Sequence, residues 1–459
     1  MRFDNETDAV TYIFESIAAS GWRTRGLDEN TRSLAPSRAL LERLGLPHGR
    51  REYAVVTGSK GKGSVTILTA RILREFGHRV GTITSPHLIS YRERIRVNGA
   101  AIPAADFLRL VDHIAPAVDA VVSGLPAGAY LSPQGIFLAL ALSWFDENAV
   151  DTAVIEVGRG GRFDDNILVD NRLALFTPIV LEHTRYLGPT VERIAWHKAG
   201  ILKPGGDGLS LPQKPDAEAQ IRLEAERIRA NVQFLNPSDL GQYAGDWERG
   251  VRMRVPESQS VARLPFYGRY AVDNASLALR AAHHLHHTTA STRLPRPQFT
   301  ALAIPALEAA VWPGRCEKLL DRPQVFIDGA VNPLSLQVYL DSVRDRITRP
   351  LVIVAAVPTD RDIATTYRLM AAQADHLILT SSERNITIRF PDESTALAAA
   401  QAAVSTADRY VEIAYAPDIA SALPLALSRA GDDGTVLLAV AQPAVADTMA
   451  HFGRSFEQI

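Results

Sequence analysis

The chain has 459 residues, 46% hydrophobic and 22% charged, with a formal net charge of -2 and one cysteine, Cys316. That length exceeds one ordinary core and predicts two or three domains, while the near-neutral charge excludes the basic surface that broad nucleic-acid binding requires. No apolar run approaches the ~20 residues of a membrane span and no signal-peptide segment is read at the start, so a cytoplasmic protein is expected; a lone cysteine, unable to form an internal disulfide, fits that reducing compartment.

The first informative stretch is residues 57–64, Thr-Gly-Ser-Lys-Gly-Lys-Gly-Ser. The apolar run 53–56 before it reads as a buried strand and 65–76 after it as an amphipathic helix, which puts the glycines at a strand-to-helix turn. There Gly58, Gly61 and Gly63 let backbone N–H groups approach a polyphosphate, Lys62 supplies positive charge and Ser64 a hydroxyl for magnesium. Ser59, Gly61, Lys62, Gly63 and Ser64 are therefore the expected phosphate cradle; a tight turn without a ligand is the plain alternative. The ordinary P-loop, G-x-x-x-x-G-K-[ST], has Lys and Ser adjacent, whereas Gly63 separates them here.

Residues 79–85 read as a second strand, followed by an irregular stretch to Gly99 and helices near 103–122 and 131–147. The near-continuous apolar runs at 151–158 and 173–179 suit strands buried on both faces of a parallel sheet, and 191–201 has helical spacing. Such alternation implies a doubly wound α/β sheet with ligands outside the carboxyl ends of its strands. Residues 288–298 have linker chemistry, with two prolines and no apolar period. Strands restart at 324–328, 351–357, 376–380 and 435–440. The expected organisation is a large P-loop domain over residues 1–290 and a smaller Rossmann-like α/β domain over 297–459.

Glu156 and His183 each lie just past an apolar strand and so can face the phosphate loop. With Ser64 they make plausible ligands for magnesium bridging ATP phosphates, or else satisfied polar residues at strand ends. Lys198 follows on the next helix and by residue type alone reads as a solvated charge.

Seven segments occur in order: Thr57 to Ser64; Thr84-Ser-Pro-His-Leu88 with Glu93-Arg-Ile-Arg-Val-Asn-Gly99; Glu156-Val-Gly-Arg-Gly-Gly-Arg162; Glu182-His183; Lys198-Ala-Gly-Ile-Leu-Lys-Pro204; Trp312-Pro-Gly-Arg-Cys-Glu317; and Asp328-Gly-Ala-Val-Asn-Pro333. Together they resemble the folylpolyglutamate synthase and dihydrofolate synthase family, a branch of the Mur ligase superfamily, over nearly the whole chain. The resemblance implies a Mur ligase-like fold and an ATP-dependent ligase. Such an enzyme activates a small-molecule carboxylate as an acyl phosphate and joins it to an amino acid amine. It further implies that Lys62 and the loop amides hold the phosphates, and that Ser64, Ser85, Glu156 and His183 surround two Mg2+ ions. Lys198 matches the lysine that carries a CO2-derived carbamate. Arg315 would reach the phosphates, Asp328 the ribose and Asn274 the adenine, with His87, Arg159 and Arg162 as candidates on the substrate side. A monomer or small homo-oligomer, with neither nucleic-acid nor membrane partner, completes the expectation.

Some positions depart from the family pattern. Tyr270 and Ala271 replace a His-Gln pair, Val331 a His, Arg361 a Lys and Arg159 a Leu, and an Asp-Ala-Thr-Asn segment is shortened to Asp164-Asp165-Asn166. Arg159 either holds an anionic substrate beside Glu156 or forms a surface salt bridge. These changes leave open a ligase acting on a non-folate acid or a non-catalytic nucleotide-binding homologue; a motion-coupled NTPase is disfavoured by Gly63. The histidines at 283, 284, 286 and 287 read as a solvated helix end and Cys316 as a small buried residue.

Overall fold

Val55 and Val56 are fully buried because the strand carrying them has neighbours on both sides and helices on both faces. The computed structural model describes residues 2–459 except 22–24, 49–50, 259, 290–292, 385–387 and 406–408. The first sheet contains β1 (Glu52–Thr57), β2 (Val80–Ile83), β3 (Ile95–Val97), β4 (Ala100–Ala101), β5 (Thr152–Glu156), β6 (Leu173–Phe176), β7 (Asp207–Ser210) and β8 (Asn231–Phe234). Their order is β4-β3-β2-β5-β1-β6-β7-β8. β1 is parallel to both β5 and β6, and the chain runs outward to opposite edges on its two sides. That reversal opens a crevice at the carboxyl end of β1, where the phosphate loop begins.

Helix Lys62–Glu75 packs on one face of this sheet against helix Tyr270–Thr289, while Ala104–Ser123 and Pro133–Glu147 cover the other. The stretch expected to be irregular up to Gly99 instead holds β3 and β4, an antiparallel hairpin on the edge of β2. Strands of three and two residues are too short to show a period. A three-stranded antiparallel sheet follows, β9 (Gln242–Trp247), β10 (Gly250–Arg254) and β11 (Val261–Leu264), which buries Val251, Met253, Ala262 and Leu264 beneath it.

The third sheet holds β12 (Glu317–Asp321), β13 (Gln324–Asp328), β14 (Leu351–Ala356), β15 (His376–Leu379), β16 (Glu412–Tyr415) and β17 (Thr435–Val440), in the order β12-β13-β17-β14-β15-β16. All its pairings are parallel except β12 with β13. The four apolar runs read from the sequence are its four inner strands, β13, β14, β15 and β17; the edge strands β12 and β16 are too polar to stand out.

The apolar packing places the boundary between the two bodies later than residue 297. Helices Arg296–Leu302 and Ile304–Glu308 bury Phe299, Ala306 and Leu307 in the core shared with Lys62–Glu75 and Tyr270–Thr289. Of the expected linker, residues 288 and 289 still belong to helix Tyr270–Thr289, and 290–292 lie outside the described residues. At the far end the chain returns to the first sheet: the Ala101 N–H donates to the Glu457 carbonyl at 2.7 Å and that of Ile459 to Gly99 at 3.1 Å. Among the described residues no helix is long and apolar enough to cross a membrane.

Candidate active site

The phosphate loop is held open by close backbone approaches that only glycine permits. A Cβ on Gly58, whose φ is +139°, would lie 1.8 Å from Thr177 Oγ1, and one on Gly61, at φ +87°, would lie 2.5 Å from Asn274 Oδ1. Gly61 caps helix Lys62–Glu75, so the amides of the first turn face the crevice with the positive end of the helix dipole. Ser59 is turned away from that cradle: its Oγ accepts from the Val180 N–H at 3.0 Å and its N–H donates to the Pro178 carbonyl. It thus tethers the loop to the segment after β6, which bears Glu182 and His183. Lys62 Nζ donates to the Gly58 carbonyl at 3.1 Å.

Lys198 reaches the same carbonyl from the opposite side, at 2.7 Å, and donates to Glu182 Oε1 at 3.1 Å. Its side chain is only 1% exposed. Burial lowers its pKa to about 8 against the pull of Glu182, so a substantial neutral fraction exists near physiological pH. Burial alone would raise the Glu182 carboxyl, but Lys198, Lys62 and His183 outweigh it and hold the group below its ordinary range.

Glu156 ends β5 with its carboxylate buried, accepting the Ser85 N–H at 3.0 Å on Oε2. Burial raises its pKa, with Lys62, the Ser85 N–H and Arg315 opposing. The shortened segment after it still does structural work. Asn166 Nδ2 donates to the Glu156 carbonyl at 2.7 Å and Asp164 Oδ2 accepts the Gly158 N–H at 3.0 Å, fixing the turn out of β5. His183 sits at φ +49° with its ring partly open to the crevice, and its surroundings lower its pKa to about 4, burial first and then Arg159 and Lys198 against Glu182. Its imidazole is therefore neutral, the form that ligates metals.

The smaller body supplies the facing wall. Arg315 lies within the electrostatic reach of both Glu156 and Asp328, and a Cβ on Gly329 would be 2.9 Å from its Nη1. Asp328, at the end of β13, accepts the Cys316 N–H at 2.7 Å and interacts with the Tyr270 hydroxyl; burial raises the pKa of both. Tyr270 is thus placed beside the expected ribose carboxylate. Ala271 and Val331 are both buried, Ala271 in the core beneath the phosphate-loop helix. Trp312 leans onto the phosphate loop: a Cβ at Gly63 would meet its Cζ2 at 2.8 Å and Glu156 Oε2 at 3.4 Å.

The three substrate-side candidates are engaged within the protein. Arg159 makes a bidentate pair with Asp28, Nη2 to Oδ1 at 2.7 Å and Nε to Oδ2 at 3.1 Å, and stacks on Tyr186. Its partner is neither Glu156 nor a surface acid, because Asp28 is 2% exposed. Arg162 donates to Glu224 at 2.6 Å and covers Trp196. His87 Nδ1 accepts from Arg94 Nε at 3.1 Å, and burial together with that cation lowers its pKa to about 3.

The groups present fit a nucleoside triphosphate: glycines without room for side chains, a helix N-terminus, Lys62 and Arg315. A hard cation also fits the oxygen-rich set of Glu156, Ser64 and Ser85 with the neutral His183. Among the described residues no three of His, Cys, Asp and Glu are grouped as a metal site, so hydroxyls, phosphate oxygens and Lys198 would have to complete one. Glu182 and Trp312 carried no role from the sequence, although both stood in the motif segments; their signal was a charged residue directly before His183 and an aromatic one three positions before Arg315.

Known proteins resemble this chain in sequence and fold. Residues 314–441 match the Mur ligase, glutamate ligase domain family. The chain is 30% identical over 376 residues to a folylpolyglutamate synthase of Lacticaseibacillus casei, covering 80% of this chain and 83% of that protein. It is 32% identical over 327 residues to the dihydrofolate synthase/folylpolyglutamate synthase of Bacillus subtilis, covering 70% and 74%. The crystal structure of Mycobacterium tuberculosis folylpolyglutamate synthase complexed with ADP and AMPPCP superposes with a TM-score of 0.79 at 26% identity, over 96% of this chain and 99% of that one. Sequence and fold agree: the chain belongs to the folylpolyglutamate synthase/dihydrofolate synthase family of ATP-dependent ligases.

Proposed function

We propose that this ligase joins glutamate to the carboxylate of a folate-type pterin, with two Mg2+ ions held by Ser64, Ser85, Glu156, His183 and a carbamate on Lys198. The observation that carries the reading is Lys198: buried, held against the phosphate-loop carbonyl of Gly58, and lowered to a pKa of about 8. A lysine kept as a simple counter-ion gains nothing from such burial, whereas CO2 adds only to a neutral amine. In the reaction a substrate carboxylate oxygen attacks the γ-phosphorus of ATP and ADP departs, leaving an acyl phosphate. The amine nitrogen then attacks the acyl carbon, inorganic phosphate leaves and the amine proton passes to solvent. Lys62, the first-turn amides and Arg315 neutralise the phosphate charge, so positioning and electrostatics carry the rate. Bound magnesium would add charge neutralisation between the phosphate oxygens.

Of the departures from the family pattern, Arg159 is paired with Asp28 and stacked on Tyr186, Tyr270 stands beside Asp328, and Val331 is buried, which supports the folate-type reading. The lone cysteine keeps a reducing cytoplasm within the proposal. The test is phosphate release from purified protein with ATP, Mg2+, glutamate and either dihydropteroate or tetrahydrofolate. Release should require acid and amine together; efficient turnover with only a non-pterin acid, or with none, would sink the reading.

A further inference from the structure

The indole nitrogen of Trp312 is a buried donor with no hydrogen-bond partner. That is costly for such a group; Trp144 Nε1 shares the deficit away from the phosphate loop, whereas Trp247 is satisfied by the Leu264 carbonyl at 3.0 Å. Its location is unusual too. Cε2, the carbon bonded to that nitrogen, lies 3.3 Å from the Cβ position of Gly63, Cζ2 lies 2.8 Å from it, and the Glu156 carboxylate is 3.4 Å from the same point. The Cζ2–Cε2 edge of the indole, to which Nε1 is attached, thus lies at the first turn of the phosphate-loop helix beside the Glu156 carboxylate, on a residue that packs against the large body three positions before Arg315.

We propose that the Trp312 Nε1–H is a ligand-contacting donor of the ligation reaction, bonding an oxygen of the γ-phosphoryl group of ATP and of the acyl phosphate that it becomes. The proposal rests on the ligase reading above. The donor contributes nothing while the crevice lacks that group and is satisfied when the group arrives. A hydrogen bond formed in the closed site also draws the smaller body onto the loop, which makes Trp312 a link between γ-phosphoryl occupancy and closure. The insertion of Gly63 into the loop follows physically: any side chain there would stand between the indole and the phosphate.

Trp312→Phe keeps an aromatic ring and removes the donor together with part of the indole, so the nucleotide-selective readouts carry the test. It should lower kcat by about 10- to 100-fold. It should also weaken AMPPCP binding while leaving ADP binding, which lacks the γ-phosphoryl, unchanged. A direct reading comes from the parent protein with its tryptophan indoles labelled with nitrogen-15, five in number. The indole resonance absent from Trp312→Phe should move downfield on addition of AMPPCP with Mg2+ and stay in place with ADP. Parent-like kcat in the variant, equal weakening of ADP and AMPPCP, or an unmoved resonance would each overturn the proposal. If instead the parent shows no pterin- and glutamate-dependent turnover while the resonance responds to AMPPCP, the substrate reading fails and the donor assignment stands.

Discussion

A methyl group at position 63 would stand 2.8 Å from Trp312 Cζ2, and the backbone there is ordinary helix, so glycine is required for space rather than for its dihedral freedom. Gly63→Ala should then fold as well as the parent or slightly better, since alanine gains about 0.5–1 kcal/mol over glycine in a helix. Its kcat should fall at least tenfold as the indole is pushed out; unchanged turnover would show that the contact has no consequence. Lys198 makes a second prediction at this scale. With a pKa of about 8, roughly a quarter of it is neutral at pH 7.5, against about one molecule in a thousand for an ordinary lysine. Carbamylation followed by the carbonyl resonance from carbon-13-labelled CO2 should therefore increase as pH rises through about 8. The sign for stability is the same: a lysine whose folded pKa lies below 10.5 costs stability while charged, fully below about pH 8, and the cost is relieved as pH rises from there toward 10.5. Lys198→Ala should lose turnover while keeping the fold, with part restored by a high concentration of a short carboxylate. Full activity in that variant would remove the carbamate from the mechanism.

At the scale of elements, the return of the chain end to β4 ties the small body to the edge of the large sheet. Phe456 is 3% exposed in the core under the third sheet, and Glu457 and Ile459 continue as a backbone ladder on Gly99 to Ala101. The accompanying Arg92 to Glu457 pair has its acid 55% exposed, so it contributes well under about 1 kcal/mol. Phe456→Ala should accordingly cost about 3–5 kcal/mol and speed hydrogen exchange at the Ala101 amide, whereas Glu457→Ala should do neither. Equal effects of the two would mean that the ion pair, not the anchored ladder, holds the edge. The same elements show what can be read from one chain. β13 and β17 were legible as apolar runs because a parallel strand buried on both faces needs them, and the phosphate loop because phosphate chemistry restricts its residues. The hairpin β3–β4, the sheet β9–β11 and the edges β12 and β16 were not, since short or half-exposed strands leave no period. Nor were the partners of Arg159 and Arg162: Asp28 lies 131 residues from one and Glu224 62 from the other, and only folding brings each pair together.

For the molecule as a whole, the site is divided between two bodies, with Lys62, Glu156, His183 and Lys198 on the large sheet and Trp312, Arg315 and Asp328 reaching in from the boundary and the smaller body. A divided site binds fully only when both halves touch the ligand, so nucleotide affinity and domain approach are the same free energy seen twice. In the proposed site Arg315 is the cation through which the smaller body would meet the phosphates. Removing it forfeits a charge-assisted contact of about 1.5–3 kcal/mol, which corresponds to an AMPPCP affinity roughly 10- to 150-fold weaker. Because that contact crosses between the bodies, AMPPCP should decrease the radius of gyration of the parent, measured by small-angle scattering at saturating ligand, and Arg315→Ala should abolish that decrease. Lys62→Ala should weaken binding too, but from within the large body, so at saturation its compaction should persist. If the Arg315 variant compacted like the parent once saturated, closure would be driven from elsewhere, and Trp312 and the anchored chain end would be the remaining elements able to drive it.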